Sequence, residues 1–364
     1  MIRRDVLIGA GAVLLAGGAG AYGWRSAVGA MADYDRYIAD TRRPLSVDAD
    51  SIDLVRYATL AANGHNTQPW RFRVTDSGIA IRADHSRATP AVDPDDHHLF
   101  VSLGCATENL ALAATAAGLP GEAEVNAEGG IEFRWATGRS LQDPLFAAIP
   151  HRQSTRAAYD GQPVSAAIIE GLRNAAEIPG VRLVIVTERG PLDRLRDLVI
   201  AGNEQQMGDP AFIAELKYWL RFNPRAAMES GDGLFSASSG NPLLPGFLGG
   251  AAFDAFFTAA AENDKYARHL DSSAGIAVFL GESEDRQHWV AVGRACQRFA
   301  LAATRAGLKT AFINQPVEVE ALRSQLSSLI GEPGLRPDIM MRFGHGADLP
   351  YSPRRPVAAV LDQA

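Results

Sequence analysis

The fold is decided by a helical pattern that occurs twice in the chain. Residues 102–119 read SLGCATENLALAATAAGL and residues 291–308 read AVGRACQRFALAATRAGL. The two stretches align without a gap, have apolar residues at helical spacing and end at a glycine placed to cap a helix, Gly118 or Gly307. Because small residues let helices approach closely, we expect the two helices to pack near one another along the pseudo-twofold axis of a duplicated fold.

A second pair of segments supports the duplication. Residues 51–62 and 167–177 both read as amphipathic helices, and each leads into a strand pattern. The repeated order of helix and strand predicts an α+β fold whose two tandem halves form an intramolecular pseudo-dimer. Strands are expected at 70–74, with a hairpin return over 79–83, and at 181–188, 274–282 and 338–344.

The two halves differ in length. We place the first half at residues 31–145 and the second at 146–357, with the excess of the second half in an insertion at 191–270. The insertion carries one clear helix pattern, DPAFIAELKYWLRF, and then the Gly-, Pro- and Phe-rich stretch SGDGLFSASSGNPLLPGFLGGAAFDAFF. A long irregular segment with aromatic residues is commonly an active-site lid, and packing between the halves is the alternative.

Composition and charge exclude one class of partner. The chain has 364 residues, 47% of them apolar, which is enough for a substantial core. A formal charge of -7 argues against non-specific binding to nucleic acid, which requires an excess of Lys and Arg. We therefore expect no nucleic-acid partner.

Two polar or reactive features carry less weight. The run DPDDHH at 93–98 resembles a metal cluster, but adjacent ligands do not define a coordination geometry, so we predict a polar helix start and no metal. Cys105 and Cys296 lie in helical patterns far apart in sequence, where they give no disulfide framework. The state of the two cysteines is left open.

Residues 1–30 have the pattern of an export signal. Arg3 and Arg4 precede a stretch without charge from residue 6 to 24, rich in Gly and Ala, and small residues suit cleavage after Ala30. The arginine pair predicts a twin-arginine signal and an exported protein of the periplasm or cell envelope. An uncleaved membrane anchor over residues 6–24 is the alternative, because that stretch is just long enough to span a bilayer. The twin-arginine route carries folded proteins, often with a cofactor bound, so a cofactor site is expected.

Three polar motifs are spaced along the chain. Residues 62–70, ANGHNTQPW, crowd side-chain amides into one turn, and residues 152–164, RQSTRAAYDGQPV, set Arg and Ser at alternate positions. The third is the terminal DIMMRFGHGADLPYSPRRPV. Together they resemble the FMN-dependent nitroreductases, and the third is similar to that family's closing strand and arginine-rich tail. The resemblance runs from residue 51 to residue 357 and points to the tandem, Acg-type branch, in which two halves mimic a dimer.

The resemblance implies an FMN site built from these three motifs. Arg152 and Arg156 suit the phosphate, because guanidinium groups form paired, charge-assisted hydrogen bonds, and Ser154 falls on the same face of an extended segment. Asn66 and Gln68 suit the polar edge of the flavin ring, because a carboxamide offers a donor beside an acceptor. The residues predicted to hold FMN are Asn63, His65, Asn66, Gln68, Arg152, Ser154, Arg156, Asn314, Gln315, Arg354 and Arg355.

The chain also departs from the family pattern. Ala62 and Asn63 replace the usual Pro-Ser of the loop, and a Glu-Gly pair often found after the second repeat helix is absent. The first half has TRRPLSVDAD where an Arg-Ser-Arg opening would be expected, and the second half has no amide loop. Since one complete set of motifs remains, we predict one FMN per chain.

Two functions follow from the resemblance. The first is an FMN-dependent oxidoreductase that passes electrons from NAD(P)H, or from another donor, to a small organic acceptor such as a nitroaromatic or a quinone. The second is a protein that binds or stores FMN with little or no turnover, with the insertion closed over the ring. The sequence identifies no catalytic residue and does not choose the donor or the acceptor.

Overall fold

The computed structural model describes residues 23–46, 48–141 and 143–362, so most of the predicted export signal lies outside the described residues. Within them the α+β class is confirmed, because helices pack on two four-stranded sheets. The helices are α1 Met31–Thr41, α2 Ser51–Thr59, α3 His97–Ala116, α4 Ala166–Ala175, α5 Arg189–Met207, α6 Pro210–Trp219, α7 Pro224–Ser230, α8 Gly246–Phe256, α9 Ala259–Asp271, α10 Arg286–Arg305, α11 Gln315–Glu318 and α12 Glu320–Leu329. The strands are β1 Trp70–Thr75, β2 Gly78–Ala83, β3 Gly121–Val125, β4 Ile131–Trp135, β5 Val181–Val186, β6 Leu220–Arg221, β7 Leu234–Phe235, β8 Gly275–Gly281, β9 Lys309–Phe312 and β10 Pro337–Gly344.

The two sheets have the same topology, which confirms the tandem pseudo-dimer. Strand order is β1-β2-β4-β3 in the first half and β5-β8-β10-β9 in the second, so each sheet places its strands in the order first, second, fourth, third. All neighbours in both sheets are antiparallel. In each half a helix, α2 or α4, also precedes the first strand, and a repeat helix, α3 or α10, lies between the second and third strands.

The repeat helices α3 and α10 meet at a pair of glycines. A Cβ added to Gly104 would overlap the carbonyl oxygen of Val290, and a Cβ added to Gly293 would overlap that of Val101. Cys105 at this crossing donates from Sγ to the carbonyl oxygen of Gly293 (3.2 Å), and both cysteines are buried free thiols. The two helices therefore touch backbone to backbone, as the small residues of the repeat predicted.

Polar contacts beside the crossing join the two halves. Glu108 on α3 is buried and accepts hydrogen bonds from Arg294 Nε (2.9 Å) and Arg298 Nη1 (2.7 Å) on α10. Gln297 Nε2 donates to Asn109 Oδ1 (2.8 Å) in the same interface. In the described part of the chain, α3 alone is long and apolar enough to span a membrane, and it is mostly buried in the protein core.

The insertion stands in place of a hairpin turn. In the first half β1 and β2 are joined by residues 76–77, whereas the equivalent β5 and β8 are joined by residues 187–274. This connection holds α5 to α9 and the short parallel pair β6 and β7, and it extends a few residues beyond 191–270 at each end. Phe235 in β7 packs on Tyr34 in α1 (ring centroids 4.5 Å apart), so the connection belongs to a third core with the N-terminal helix.

The last described residues return to the first half. Phe72 in β1 donates its N–H to the carbonyl oxygen of Val360 (2.8 Å), and the Asp362 N–H donates to the carbonyl oxygen of Phe72 (2.8 Å). The tail thereby covers the open edge of β1, which would otherwise present unpaired backbone groups.

Candidate functional site

The three polar motifs meet at one cleft between the two halves. The cleft has ≈ 30 Å³ that a water-sized molecule can occupy, within ≈ 420 Å³ of non-atom space that includes open solvent. Its lining comes from α1, the amide loop, the arginine segment, the insertion and the tail: Arg42, Ala62, Asn63, Asn66, Arg152, Gln153, Ser154, Arg156, Leu234, Pro350, Ser352 and Arg354. Elements that are distant in sequence therefore assemble a single polar site.

The arginine segment reaches the cleft as an extended strand. The Thr155 N–H donates to the carbonyl oxygen of Thr310 (2.8 Å), and Ser154 forms an isolated parallel bridge with Thr310 in β9. Side chains of an extended segment alternate between two faces. Arg152, Ser154 and Arg156 all line the cleft, as that alternation predicts, and Gln153 between them lines it as well.

Four arginines concentrate positive charge in the cleft. Arg42, Arg152 and Arg354 are buried, with exposed fractions of 8%, 3% and 3%. Burial lowers the pKa of all four arginines, including Arg156. Neighbouring arginines lower the pKa of Arg42 and Arg354 further, and the pKa of Arg42 is about 9. No described carboxylate forms an ion pair with any of them.

Backbone carbonyls hold three of these arginines in place. At the carboxyl end of α2, Arg354 donates to the carbonyl oxygens of Thr59 (2.6 Å), Leu60 and Ala61, and Arg152 donates to that of Leu60 (3.0 Å). The negative end of the helix dipole favours cations at this position. Nε of Arg42 and Nε of Arg152 have no hydrogen-bond partner. Arg156 donates to no described residue, so the group retains donors for an anion.

The amide loop is strained and tightly anchored. His65, Asn66 and Gln68 have φ angles of 46°, 55° and 56°, in a region that costs a residue other than glycine about 1–3 kcal/mol. Hydrogen bonds from both repeat helices offset this cost. The Ala62 N–H donates to Gln297 Oε1 (3.2 Å) and the Gly64 N–H to Ser102 Oγ (3.3 Å).

The amide side chains of this loop bind the protein itself. Asn66 Nδ2 donates to the carbonyl oxygens of Gly233 (3.0 Å) and Pro353 (3.1 Å), and Asn66 Oδ1 accepts from Arg354 Nη1 (2.7 Å). Gln68 is fully buried; its Nε2 donates to the carbonyl oxygen of Gly231 (2.8 Å) and its Oε1 accepts from the Arg355 N–H (2.9 Å). The loop thus fastens the insertion and the tail to the site. Placement of Asn66 and Gln68 at a flavin ring stays a prediction.

The other predicted residues lie at different distances from the cleft. Burial and, after it, the nearby charge of Arg156 lower the pKa of His65 to about 4. The His65 ring is therefore neutral at pH 7. Asn314 Oδ1 accepts from the Met340 N–H (2.8 Å) and Gln315 begins α11. Arg355 donates from Nη2 to the carbonyl oxygen of Ala359 (2.7 Å) in the tail. His65, Gln68, Asn314, Gln315 and Arg355 are not among the lining residues, whereas Asn63 is.

Sequence reasoning missed several lining residues. Arg42 comes from TRRP in the first half, where the Arg-Ser-Arg opening was expected, so the arginine pair was a visible signal. Its Nη1 donates to the carbonyl oxygens of Pro150 (2.7 Å) and Arg152 (3.2 Å), which brings it beside the second-half segment. Leu234 brings the insertion to the cleft wall, and no sequence signal marked it.

Comparison with known proteins finds relatives over most of the chain. No family model matches. The Mycobacterium tuberculosis protein "Putative NAD(P)H nitroreductase Rv3131" is 26% identical over 330 residues, which cover 86% of this chain and 92% of that protein. "Putative NAD(P)H nitroreductase acg" from the same organism is 24% identical over 84% of this chain and 93% of that protein.

Solved structures align with a smaller part of the chain. The FMN-dependent nitroreductase NfnB from Mycobacterium smegmatis, in complex with NADPH, is 11% identical and covers 61% of this chain and 98% of that chain, with a TM-score of 0.41. A nitroreductase with bound FMN from Desulfitobacterium hafniense is 13% identical and covers 58% of this chain and 95% of that chain, with a TM-score of 0.36.

The fold and the site define an α+β pseudo-dimer whose two halves enclose a cationic cleft. Over most of its length this chain is similar to nitroreductase-like proteins, with the Acg protein among the relatives.

Proposed function

We propose that this protein binds FMN in the cleft and acts as an FMN-dependent oxidoreductase of the nitroreductase type. The observation that carries the proposal is the group of four arginines without an acidic partner, in a cleft assembled from all three motifs. Buried cations without counter-charge are costly. The FMN phosphate, with close to two negative charges, supplies that counter-charge through charge-assisted hydrogen bonds.

The residues present fit this cofactor. Arg42 Nε and Arg152 Nε are buried donors without a partner, and Gln153 Oε1 is a buried acceptor without one. We assign Arg152, Ser154 and Arg156 to the ribityl phosphate, with Arg42 beside them, and Asn63 and Asn66 to the ring side of the cleft. Bound FMN supplies the redox chemistry, while the chain binds it, orients it and limits the access of water.

We propose NAD(P)H as the electron donor and a small organic molecule as the acceptor. The relatives Rv3131 and Acg carry the name NAD(P)H nitroreductase and match this chain along most of its length, which supports this choice. The cleft opens to solvent, so a small acceptor has access to a cofactor held there. The nature of the acceptor is left to the experiment.

The test is spectroscopic. The protein is purified, supplied with FMN, freed of unbound flavin and mixed with NADPH or NADH without oxygen. Bound flavin should bleach, and a nitroaromatic or a quinone should restore its colour; free FMN at the same concentration is the control. Absence of flavin bands after reconstitution would contradict the whole proposal.

Flavin storage is the second candidate, and the insertion favours it. Leu234 lines the cleft, and Asn66 holds the adjacent Gly233 through two hydrogen bonds, from Nδ2 to the Gly233 carbonyl oxygen and from the Gly233 N–H to the Asn66 carbonyl oxygen. A closed insertion would retain FMN and keep donors away from it. Bound flavin that bleaches no faster than free FMN in the same experiment would support storage and rule against turnover.

We also propose export by the twin-arginine route, from residues 1–30. If Arg3 and Arg4 form the signal, changing both to Lys should leave uncleaved precursor in the cytoplasm, because that route reads the arginine pair. Arg25→Lys, in the same terminal segment but outside the pair, is the control and should be exported. Unchanged export of the double variant would count against this route.

A further inference from the structure

A second buried polar cluster lies at the start of α3, against the second-half sheet. One ligand atom from each of Asp93, His97 and His98 lies within 4.8 Å of the others, and all three residues are buried. Asp338 from β10 lies beside His97, with its Oδ1 2.9 Å from His97 Nε2, but it does not belong to this group of three. The exposed fractions of the four residues are 4%, 2%, 8% and 2%. This cluster contributes nothing to the lining of the cleft.

One ring nitrogen of each cluster histidine, Nε2, has no hydrogen-bond partner among the described residues. Nε2 of His97 and Nε2 of His98 are both fully buried and unpaired among the described residues. His97 Nε2 and Asp338 Oδ1 are close but too poorly aligned for a hydrogen bond. The structure thus leaves two buried imidazole nitrogens available to a ligand.

Backbone groups orient the two carboxylates of the cluster. Asp93 accepts from the N–H groups of His98 and Leu99 (2.9 Å each), and these bonds start α3. Asp338 sits at an irregularity in the register of β10, where its Oδ2 accepts from the Gly281 N–H (2.5 Å). Such outer-shell contacts are what fix the ligands of a metal site. Each carboxylate oxygen still has a lone pair for an ion.

The charge around the cluster is negative. Asp93, Asp338 and Glu318, whose Oε1 is 3.7 Å from His98 Nδ1, bring three carboxyl groups into one buried region. Two cations lie nearby. Arg336 has its Nη1 2.6 Å from Asp95 and 3.8 Å from Glu284, so its charge is already balanced. Burial lowers the pKa of His97 and raises that of Asp338, and the charge of Arg323 acts to lower both. A divalent cation would balance the remaining carboxylates.

We propose that His97, His98 and Asp93 bind a divalent transition-metal ion of the Zn²⁺ type, for which mixed imidazole and carboxylate ligands are suited. This proposal departs from our prediction of no metal, which considered the adjacent residues without their buried, unpaired nitrogens. Asp338, far away in sequence, adds a carboxylate beside His97 that orients the ring from outside the ligand set. Because Asp338 belongs to the second half, the site lies where the two halves meet.

Cobalt titration of untagged, chelator-treated protein tests the site. One equivalent of Co²⁺ per chain should bind and give visible absorption bands, and Zn²⁺ should displace it. Loss of an outer-shell partner lowers metal affinity roughly 10- to 100-fold. His97→Ala and His98→Ala remove direct ligands, so each should lower the affinity for Co²⁺ by more than that. The control is His288→Ala near the start of α10, because His288 pairs with Asp285 and is less buried.

The result does not depend on flavin or on turnover. If His97→Ala fails to fold, the wild-type titration and the milder Asp338→Asn variant still decide. Failure of the wild-type protein to take up Co²⁺ saturably would overturn the proposal. Binding that is undiminished in His97→Ala and His98→Ala, or equally reduced in His288→Ala, would also overturn it.

Discussion

At the scale of single residues, Arg156 differs from the other three arginines of the cleft. Arg42, Arg152 and Arg354 donate to backbone carbonyls, whereas Arg156 donates to no described residue. Its guanidinium is thus the most available of the four for a ligand. Arg42, Arg152 and Arg354 combine a structural role with any binding role, so their removal would change two properties at once.

Arg156→Ala should therefore weaken FMN with little loss of fold stability. Loss of charge-assisted hydrogen bonds to the phosphate should cost about 1.5–3 kcal/mol, or roughly 10- to 150-fold in Kd. Flavin fluorescence titration measures the change. Arg36→Ala is the control, since Arg36 is exposed and paired with Asp33. Normal FMN affinity in Arg156→Ala would remove this residue from the site.

Gln68→Ala should act on stability, because its amide is used inside the protein. The change leaves the Gly231 carbonyl oxygen and the Arg355 N–H without their partner, at about 1–3 kcal/mol for each buried unsatisfied group. Urea unfolding without FMN measures this loss. Gln287→Ala is the matched control, because Gln287 donates to the Val125 carbonyl oxygen from an exposed position. A Gln68→Ala protein of normal stability that fails to bind FMN would instead place Gln68 at the ring.

The sequence identified the polar loop but not the partners of its amides. Asn and Gln crowded into one turn predicted side chains with specific hydrogen bonds, and those bonds exist. Their acceptors, Gly231, Gly233 and Pro353, lie more than 160 residues away along the chain. No local pattern relates such distant positions. Only the structure shows that the amides of this loop hold the insertion in place.

At the scale of elements, the crossing of α3 and α10 fixes how the halves meet. Gly104→Ala would push its Cβ into the carbonyl oxygen of Val290, where backbone must move. Overpacking of this kind costs about 1–3 kcal/mol and sometimes more. Gly171→Ala is the matched control, because nothing lies within 4 Å of its added Cβ in α4; that variant should gain about 0.5–1 kcal/mol. Thermal unfolding of both variants checks this, and a Gly104→Ala protein as stable as wild type would contradict it.

Local patterns predicted the repeat helices and their neighbours and missed several other elements, long and short. The repeat helices, α2, α4 and the β1–β2 hairpin all lie where periodicity and turn residues placed them. Strands β3 and β9 are five and four residues long, too short for a periodic signal. Most insertion helices were missed too. Gly and Pro interrupt the pattern of α8, whereas α5 and α9 are held by tertiary packing, since Leu192, Leu195 and Leu270 join the second-half core.

At the scale of the whole molecule, one cleft receives the arginines of both halves. Arg42 comes from the opening of the first half and Arg152 and Arg156 from that of the second, and all three line the same cleft. The pseudo-equivalent position on the other side is left without this set. The duplication of the fold is therefore not matched by a duplication of the site.

We predict one tightly bound FMN per chain. A second phosphate at the pseudo-equivalent position would lack these cationic partners, so its binding should be weak. Absorbance of flavin released by denaturation, divided by protein from amino-acid analysis, gives the ratio. A ratio near two after removal of free flavin would contradict the prediction.

The return of the tail to β1 sets a limit on folding during synthesis. The first-half sheet lies early in the chain, yet its edge is completed by residues 360–362, which are synthesised only after the whole second half. Until then, a nascent first half exposes an open strand edge that invites pairing with other chains. The first half thus reaches its final state only after the second half has been made, and a chain truncated before residue 360 would be a substrate for aggregation or proteolysis rather than a smaller working protein.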